Sequence, residues 1–190
     1  MKSEADLEDE RLASLAVILP LAVTGFVIAA GCWTLFAVAG IHLPAELSLS
    51  DLQFGLLLAM PMAVSALLAL PAGLAARRFG ARRVTLICLA GLAACLVILL
   101  SPSTFPGYLL AAGGLGLAGG FYSAGLQFVT SNCQRHRLGL VLGVFGAGVT
   151  GAGFTYYLVP LFHEAFSWQG VPLAYLIVLL LVIALLLLLT

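Results

Sequence analysis

The chain has 190 residues and a formal net charge of zero, from eight basic and eight acidic side chains. Hydrophobic residues make up 63% of it and charged residues 8%, with a mean hydropathy of +1.17. Because soluble domains are roughly a quarter charged, this composition excludes a water-soluble protein. We expect an integral membrane protein in contact with a lipid bilayer, without a nucleic-acid partner.

Six apolar segments follow one another, each long enough to cross about 30 Å of hydrocarbon at 1.5 Å per residue. The first can bend at Pro20, the second begins after Ser50 as a helix cap, and the fourth begins near Pro106. We therefore predict an all-α polytopic membrane protein with an acidic cytoplasmic tail over residues 1–11 and a six-helix membrane domain over residues 12–190. The predicted spans are residues 12–41, 51–76, 84–101, 106–131, 138–162 and 171–190.

The charged residues orient this bundle. Four arginines lie between the second and third spans, two between the fourth and fifth, and Lys2 and Arg11 precede the first. The loops on the opposite side carry only the acids Glu46, Asp51 and Glu164. By the positive-inside rule, both termini are expected in the cytoplasm. The expected location is a bacterial inner membrane.

Away from their ends, the predicted spans contain no acidic, basic or histidine side chain of the kind that commonly marks an ion or substrate path. If the chain is part of a transporter, the polar candidates for contact with a solute are Gln127, Tyr122, Thr150 and Tyr156. The commoner alternative is that such hydroxyls bond to their own backbone or to a neighbouring helix. No Ser/His/Asp set, metal-ligand cluster or phosphate loop is present, so we expect no enzyme, metal or cofactor.

Small residues recur at four-residue intervals in the fifth span. Such small-xxx-small pairs let helix backbones approach closely, so they predict tight helix packing. An alternative is that contacts with so few side chains let helices slide or rock during transport. The positions are Gly139 with Gly143, Ala147 with Gly151, and Gly148 with Ala152.

The loop GLAARRFGARR resembles G-x-L-a-D-r-x-G-r-R, the signature between the second and third helices of the major facilitator superfamily. The run GLLLAMPMAVSALLALPAGLAARRFGARR and the fifth-span stretch LGLVLGVFGAGVTGAG are similar to the nitrate/nitrite porter branch, and CWTLFAVAG and GLGLAGGFYSAG fit the same comparison. The resemblance implies the N-terminal six-helix half of a twelve-helix protein, with the substrate path between the halves. The loop residues that carry it are Gly73, Arg77, Arg78, Gly80, Arg82 and Arg83.

The chain departs from the porter pattern at three functional positions. In the porters, an arginine in the second helix binds the anion, and the corresponding residue here is Ala69. The asparagine beside the substrate in the fifth helix of the porters corresponds to Val149. The loop aspartate that helps to latch the two halves together corresponds to Arg77. The neighbouring residues match, so the resemblance implies a scaffold that has lost its anion site.

Two functions remain open from the sequence. The lost positions favour a structural or accessory subunit of a larger membrane complex, such as a respiratory enzyme. The retained motifs favour the alternative, a transporter of nitrate, nitrite or another small solute assembled from two six-helix halves. The second half would be another copy or a separately encoded partner.

Overall fold

The computed structural model describes residues 4–39, 49–100 and 104–189, and it describes the side chains of residues 15–38, 49–100, 104–161 and 170–189. Every regular element in these residues is helical, which confirms the all-α fold. The α-helices are α1 (Glu4–Ala39), α2 (Asp51–Phe79), α3 (Ala81–Leu99), α4 (Phe105–Leu115), α5 (Leu117–Ser131), α6 (Leu138–Gly146) and α7 (Gly151–Leu189), with short 3₁₀ helices at Arg135–Arg137 and Ala147–Thr150.

Six stretches of the described residues are long and apolar enough to cross a membrane, as the sequence predicts. Helix α1 begins at Glu4, so most of the predicted acidic tail has helical backbone continuous with the first span. Residues 1–3, 40–48, 101–103 and 190, with the loop acid Glu46 among them, lie outside the described residues. The six stretches are Leu15–Val38, Asp51–Phe79, Ala81–Leu99, Phe105–Ser131, Arg135–Leu161 and Gly170–Leu189.

Local chemistry explains where α2 begins and ends. Ser50 caps it with a reciprocal pair of bonds: its hydroxyl accepts from Gln53 N–H at 3.3 Å, and its N–H donates to Gln53 Oε1 at 3.0 Å. At the other end, Gly80 has φ of +95°, a conformation that residues with a Cβ rarely adopt. This single residue joins α2 directly to α3.

The α-helical pattern of the fourth span is interrupted at Gly116, where α4 meets α5. At the junction the helix tightens, because Gly116 N–H donates to Gly113 O at 3.0 Å and Gly119 N–H donates to Gly116 O at 3.1 Å. The hydroxyl of Ser65 on α2 donates to Gly116 O at 2.9 Å. A Cβ at Gly116 would lie 2.6 Å from Cβ of Val64, so glycine allows α2 to pack closely against the α4–α5 junction.

Two segments of α7 lie side by side, one in the fifth span and the other in the sixth. The hydroxyls of Thr155 and Tyr175 are 2.7 Å apart, although a straight helix would separate these residues by about 30 Å. The chain therefore reverses direction between them, and the fifth and sixth spans form an antiparallel pair. Gly31 of α1 packs against both hydroxyl side chains, since a Cβ there would lie 2.9 Å from Thr155 Oγ1 and 2.7 Å from the Tyr175 ring.

The buried core is shared unevenly among the helices. Helices α1, α3, α5 and α7 contribute most of it; α1 packs against α7, and α2 and α3 pack against α5. Helix α2 buries few residues and exposes a long apolar surface. The side chains of that surface include Leu52, Leu56, Met62, Leu67, Leu70 and Leu74.

Candidate functional site

A cavity of about 400 Å³ lies between α1, α2, α5 and the glycine-rich part of the fifth span. Close packing of α5 on α2 forms one wall, because a Cβ at Gly119 would lie 2.6 Å from the backbone oxygen of Ser65. Small side chains on both helices then leave open space beside this contact. The lining residues are Phe26, Ala30, Trp33, Ser65, Ala118, Gly119, Tyr122, Gly146 and Val149.

Two aromatic rings of the cavity lining, Phe26 and Tyr122, pack on a third ring behind them, Phe145. The ring centroids of Phe26 and Tyr122 are 5.1 Å apart, and Phe26 stacks on the buried Phe145 at 5.1 Å. Tyr122 is also 6.0 Å from Phe145. These spacings are typical of favourable aromatic pairs, so this part of the lining is held in place by its own packing.

The polar groups of the lining are few and uncharged at neutral pH. The hydroxyl of Ser65 is engaged with Gly116 O, whereas the indole Nε1 of Trp33 is buried and has no hydrogen-bond partner. A buried donor without a partner costs free energy, so a solute that accepts a hydrogen bond from the tryptophan N–H would be favoured. The lining supplies hydrogen bonds but no positive charge to replace the hydration of an anion.

The structure does not bring the four polar candidates together. Tyr122 lines the cavity, but Thr150 lies in a separate open depression with Tyr157, and the exposed Tyr156 lines neither of them. Gln127 lies on α5 outside the lining, and its Oε1 is buried without a partner. Of these candidates, Tyr122 is the one positioned to contact a cavity-bound solute.

The two positions where the resemblance places lost anion ligands lie at or beside the cavity. Val149 is part of its lining and belongs to the 3₁₀ segment Ala147–Thr150, which interrupts the fifth span. Ala69 lies four residues after Ser65 on α2, so the two residues share one helix face. Short 3₁₀ segments within a span often mark a functional hinge.

The small residues of the fifth span divide into two groups. A Cβ at Gly148 would lie 2.9 Å from Cβ of Phe26, and one at Gly151 would overlap the carbonyl oxygen of Val27, so both glycines pack tightly on α1. A Cβ at Gly139 or Gly143 would meet no atom within 4 Å in the described part of the chain. The tight packing expected at Gly139 and Gly143 is therefore not made with any of the described residues. Of the alanines, Ala147 is exposed and Ala152 is partly buried.

The loop motif occupies one end of the bundle. Gly73 makes an ordinary contact with α5, since a Cβ there would lie 3.7 Å from Cβ of Ser123, and Gly80 forms the joint between helices. Arg82 Nη2 donates to the carbonyl oxygen of Leu187 at 3.3 Å, near the end of α7. The other three arginines of the motif are exposed.

Sequence reasoning missed the contribution of Trp33 and Phe26 to the cavity. Both look like ordinary apolar span residues, and only the indole N–H gave a signal, because a buried tryptophan usually needs a partner for it. A second cavity of about 380 Å³ was also not foreseen. It lies between α1 and two segments of α7, and its lining includes Val27, Gly151 and Tyr175.

Comparison with known proteins relates the chain to membrane transporters. The family model described as Major Facilitator Superfamily matches residues 21–190. The chain is 32% identical over 156 residues to a probable nitrate/nitrite antiporter of Thermus thermophilus, which covers 82% of this chain and 35% of that protein. It is 31% identical over 167 residues to a nitrite extrusion protein of Bacillus subtilis, covering 83% of this chain and 39% of the relative.

A third relative is more distant. The chain is 26% identical over 167 residues to a probable nitrate transporter of Staphylococcus aureus, covering 84% of this chain and 41% of that protein. The chain thus spans between about a third and two fifths of the length of these curated relatives. The comparisons therefore concern a part of each relative and not its whole length.

Proposed function

Since the chain belongs to the major facilitator superfamily, we propose that its six helices form one half of a transporter for nitrate, nitrite or another small solute. The names of its relatives support this function over the accessory-subunit alternative. A second six-helix unit, from another copy or another polypeptide segment, would complete the path.

The observation that carries the proposal is the cavity bounded by α1, α2, α5 and the 3₁₀ segment of the fifth span. Two of its lining residues remain substantially exposed, Tyr122 at 41% and Val149 at 52%. An apolar pocket with a few convergent polar groups is the usual form of a small-molecule site. Here the exposed side chains mark the side that a second unit would cover.

The charge of the solute sets a requirement on the second unit. An anion at mid-membrane needs a cation or several well-aimed donors, because the effective cost of removing an ion from water is several kcal/mol. Ala69 and Val149 supply neither, and Trp33 and Tyr122 supply single donors. If the solute is nitrate or nitrite, its positive counter-charge comes from the second unit.

The test is an uptake assay on the chain purified from native membranes in mild detergent, together with every protein that remains bound. After reconstitution in liposomes, uptake of isotope-labelled nitrite and nitrate is measured for Tyr122→Ala and for the control Tyr156→Ala. Both tyrosines are exposed, but only Tyr122 lines the cavity. We expect uptake to fall about tenfold for Tyr122→Ala, the loss of one useful contact of about 1.4 kcal/mol, and to stay unchanged for the control.

The same purification tests the accessory-subunit alternative. No uptake of either anion, together with stoichiometric recovery of redox-enzyme subunits, would refute the transport proposal. Recovery of a second six-helix unit with measurable uptake would support it.

A further inference from the structure

The joint between α2 and α3 carries a cationic surface, called here the arginine patch and consisting of Arg77, Arg78, Arg82 and Arg83. Gly80 connects the two helices with a single residue at φ +95°. The last turn of α2 and the first turn of α3 therefore lie next to each other, and four guanidinium groups are concentrated within seven residues of chain.

The charge of the arginine patch is not balanced by the side chains that the structure describes. Among those side chains Asp51 is the sole carboxylate, and it lies at the opposite end of α2, about 40 Å away along the helix axis. Arg82 donates to Leu187 O, and the guanidinium carbon of Arg78 lies 5.5 Å from the ring centroid of Phe79. Neither contact supplies a negative charge.

Two of the four arginines in the patch lie at the positive end of a helix dipole, which is an unfavourable position for a cation. Arginines in the last turn of α2 complement the negative end of that helix. Arg82 and Arg83, in contrast, lie in the first turn of α3, where the dipole is positive and where neither an acidic residue nor a side-chain cap is present. An anion beside these arginines would relieve the repulsion.

The arginine patch lies where two helices meet that are long and apolar enough to cross a membrane. An apolar helix of 29 residues precedes the joint at Gly80 in the sequence, and one of 19 residues follows it. Phe79 is 60% exposed within the patch, and Ile87 is 67% exposed one to two turns further along α3. Exposed aliphatic side chains of a membrane-spanning helix belong in the hydrocarbon. Because two such helices end at the arginine patch, its guanidinium groups are expected at the level of the lipid headgroups.

We propose that the arginine patch is a binding site for the phosphate group of an anionic phospholipid. Guanidinium groups suit this ligand, because each can donate two parallel hydrogen bonds to phosphate oxygens. Arg78 and Arg83 are exposed and free of hydrogen bonds to other described residues, so they contact the phosphate. Arg82 is a positioning residue that ties the site to the end of α7 through Leu187 O. This site does not depend on the transport proposal.

The test measures lipid retention by native mass spectrometry of the purified chain in detergent micelles. Phosphatidylglycerol and phosphatidylcholine are titrated separately onto the unchanged chain, onto Arg78→Gln/Arg83→Gln, and onto the control Arg135→Gln/Arg137→Gln. The control removes the same charge from the other arginine loop, where both side chains are also exposed. A third variant, Arg77→Gln/Arg83→Gln, repeats the test if the first does not fold, as judged by far-UV circular dichroism.

We expect the unchanged chain to retain phosphatidylglycerol at least tenfold more strongly than phosphatidylcholine. We expect the patch variant to lose about tenfold or more of this affinity, because each basic residue near the surface contributes roughly a fivefold gain. The control is expected to stay within twofold. Equal losses in patch and control variants, or equal retention of the two lipids, would overturn the proposal.

A soluble phosphate compound is the other ligand that presents phosphate oxygens to these guanidinium groups. Glycerol 3-phosphate, added in millimolar amounts, is expected not to displace bound phosphatidylglycerol, because a free phosphate has no acyl chains beside the apolar helices. Displacement at those concentrations would show a site for soluble phosphates and would overturn the lipid assignment.

Discussion

Replacing Gly151 with alanine is the most informative single change in this bundle. The added Cβ would overlap the carbonyl oxygen of Val27 and lie 2.7 Å from Cα of that residue. Carbon atoms pack best at about 3.5–4.0 Å, so α1 and the fifth span must separate by about 1 Å at this point. The obstacle is main chain, which has no alternative rotamer.

The size of the effect follows from two opposing terms. Overpacking costs about 1–3 kcal/mol and occasionally more, whereas alanine in place of glycine favours a helix by about 1 kcal/mol. Because rigid backbone is displaced, we expect a net loss of about 2 kcal/mol. For a chain of this size that lowers the midpoint of thermal unfolding by about 4–8 °C.

Gly143→Ala is the matched control. It makes the same chemical change in the same span, but its Cβ would meet no atom within 4 Å in the described residues. We expect its stability to be unchanged or raised by up to about 1 kcal/mol. The assay is unfolding in detergent followed by far-UV circular dichroism. Equal destabilisation by Gly143→Ala and Gly151→Ala, or unchanged stability of Gly151→Ala, would contradict the backbone contact between Val27 and Gly151.

Three further predictions use hydrogen-bonding groups within the spans. A double-mutant cycle of Tyr175→Phe and Thr155→Val should give a coupling energy of about 0.6 kcal/mol for their 2.7 Å bond, and a value of zero in detergent unfolding would contradict that contact. Ser65→Ala removes the 2.9 Å hydrogen bond to the carbonyl oxygen of Gly116 at the α4–α5 junction, so the free energy of unfolding should fall by about 1 kcal/mol. Trp33→Phe removes a buried N–H that has no partner, so stability should change by less than about 1 kcal/mol while nitrite uptake falls. Full uptake by that variant would show that the indole donor does not contact the solute.

The ends of several helices could be predicted from single residues. Ser50 was expected to cap the second span, and the structure gives it a complete capping box with Gln53. Pro106 was expected near the start of the fourth span, and it follows Phe105 at the beginning of α4. These predictions succeed because capping and proline geometry depend on neighbours in the chain.

The contacts of the small residues could not be predicted from their spacing. Gly139 with Gly143 and Ala147 with Gly151 show the same four-residue pattern, yet Gly151 touches the backbone of α1 and Gly143 has open space beside it. Spacing places residues on one face of a helix but does not say which neighbour covers that face. The contribution of Trp33 to the cavity was missed for the same reason, since it depends on α2 and α5.

The backbone contact between Val27 and Gly151 fixes how closely the first and fifth spans approach each other. No side chain separates the two helices there, so the main chain itself sets the distance between them. The two cavities lie on different sides of this crossing: Phe26 and Val149 line one, and Val27 and Gly151 line the other. A change in the angle between these two spans would therefore alter both cavities at once.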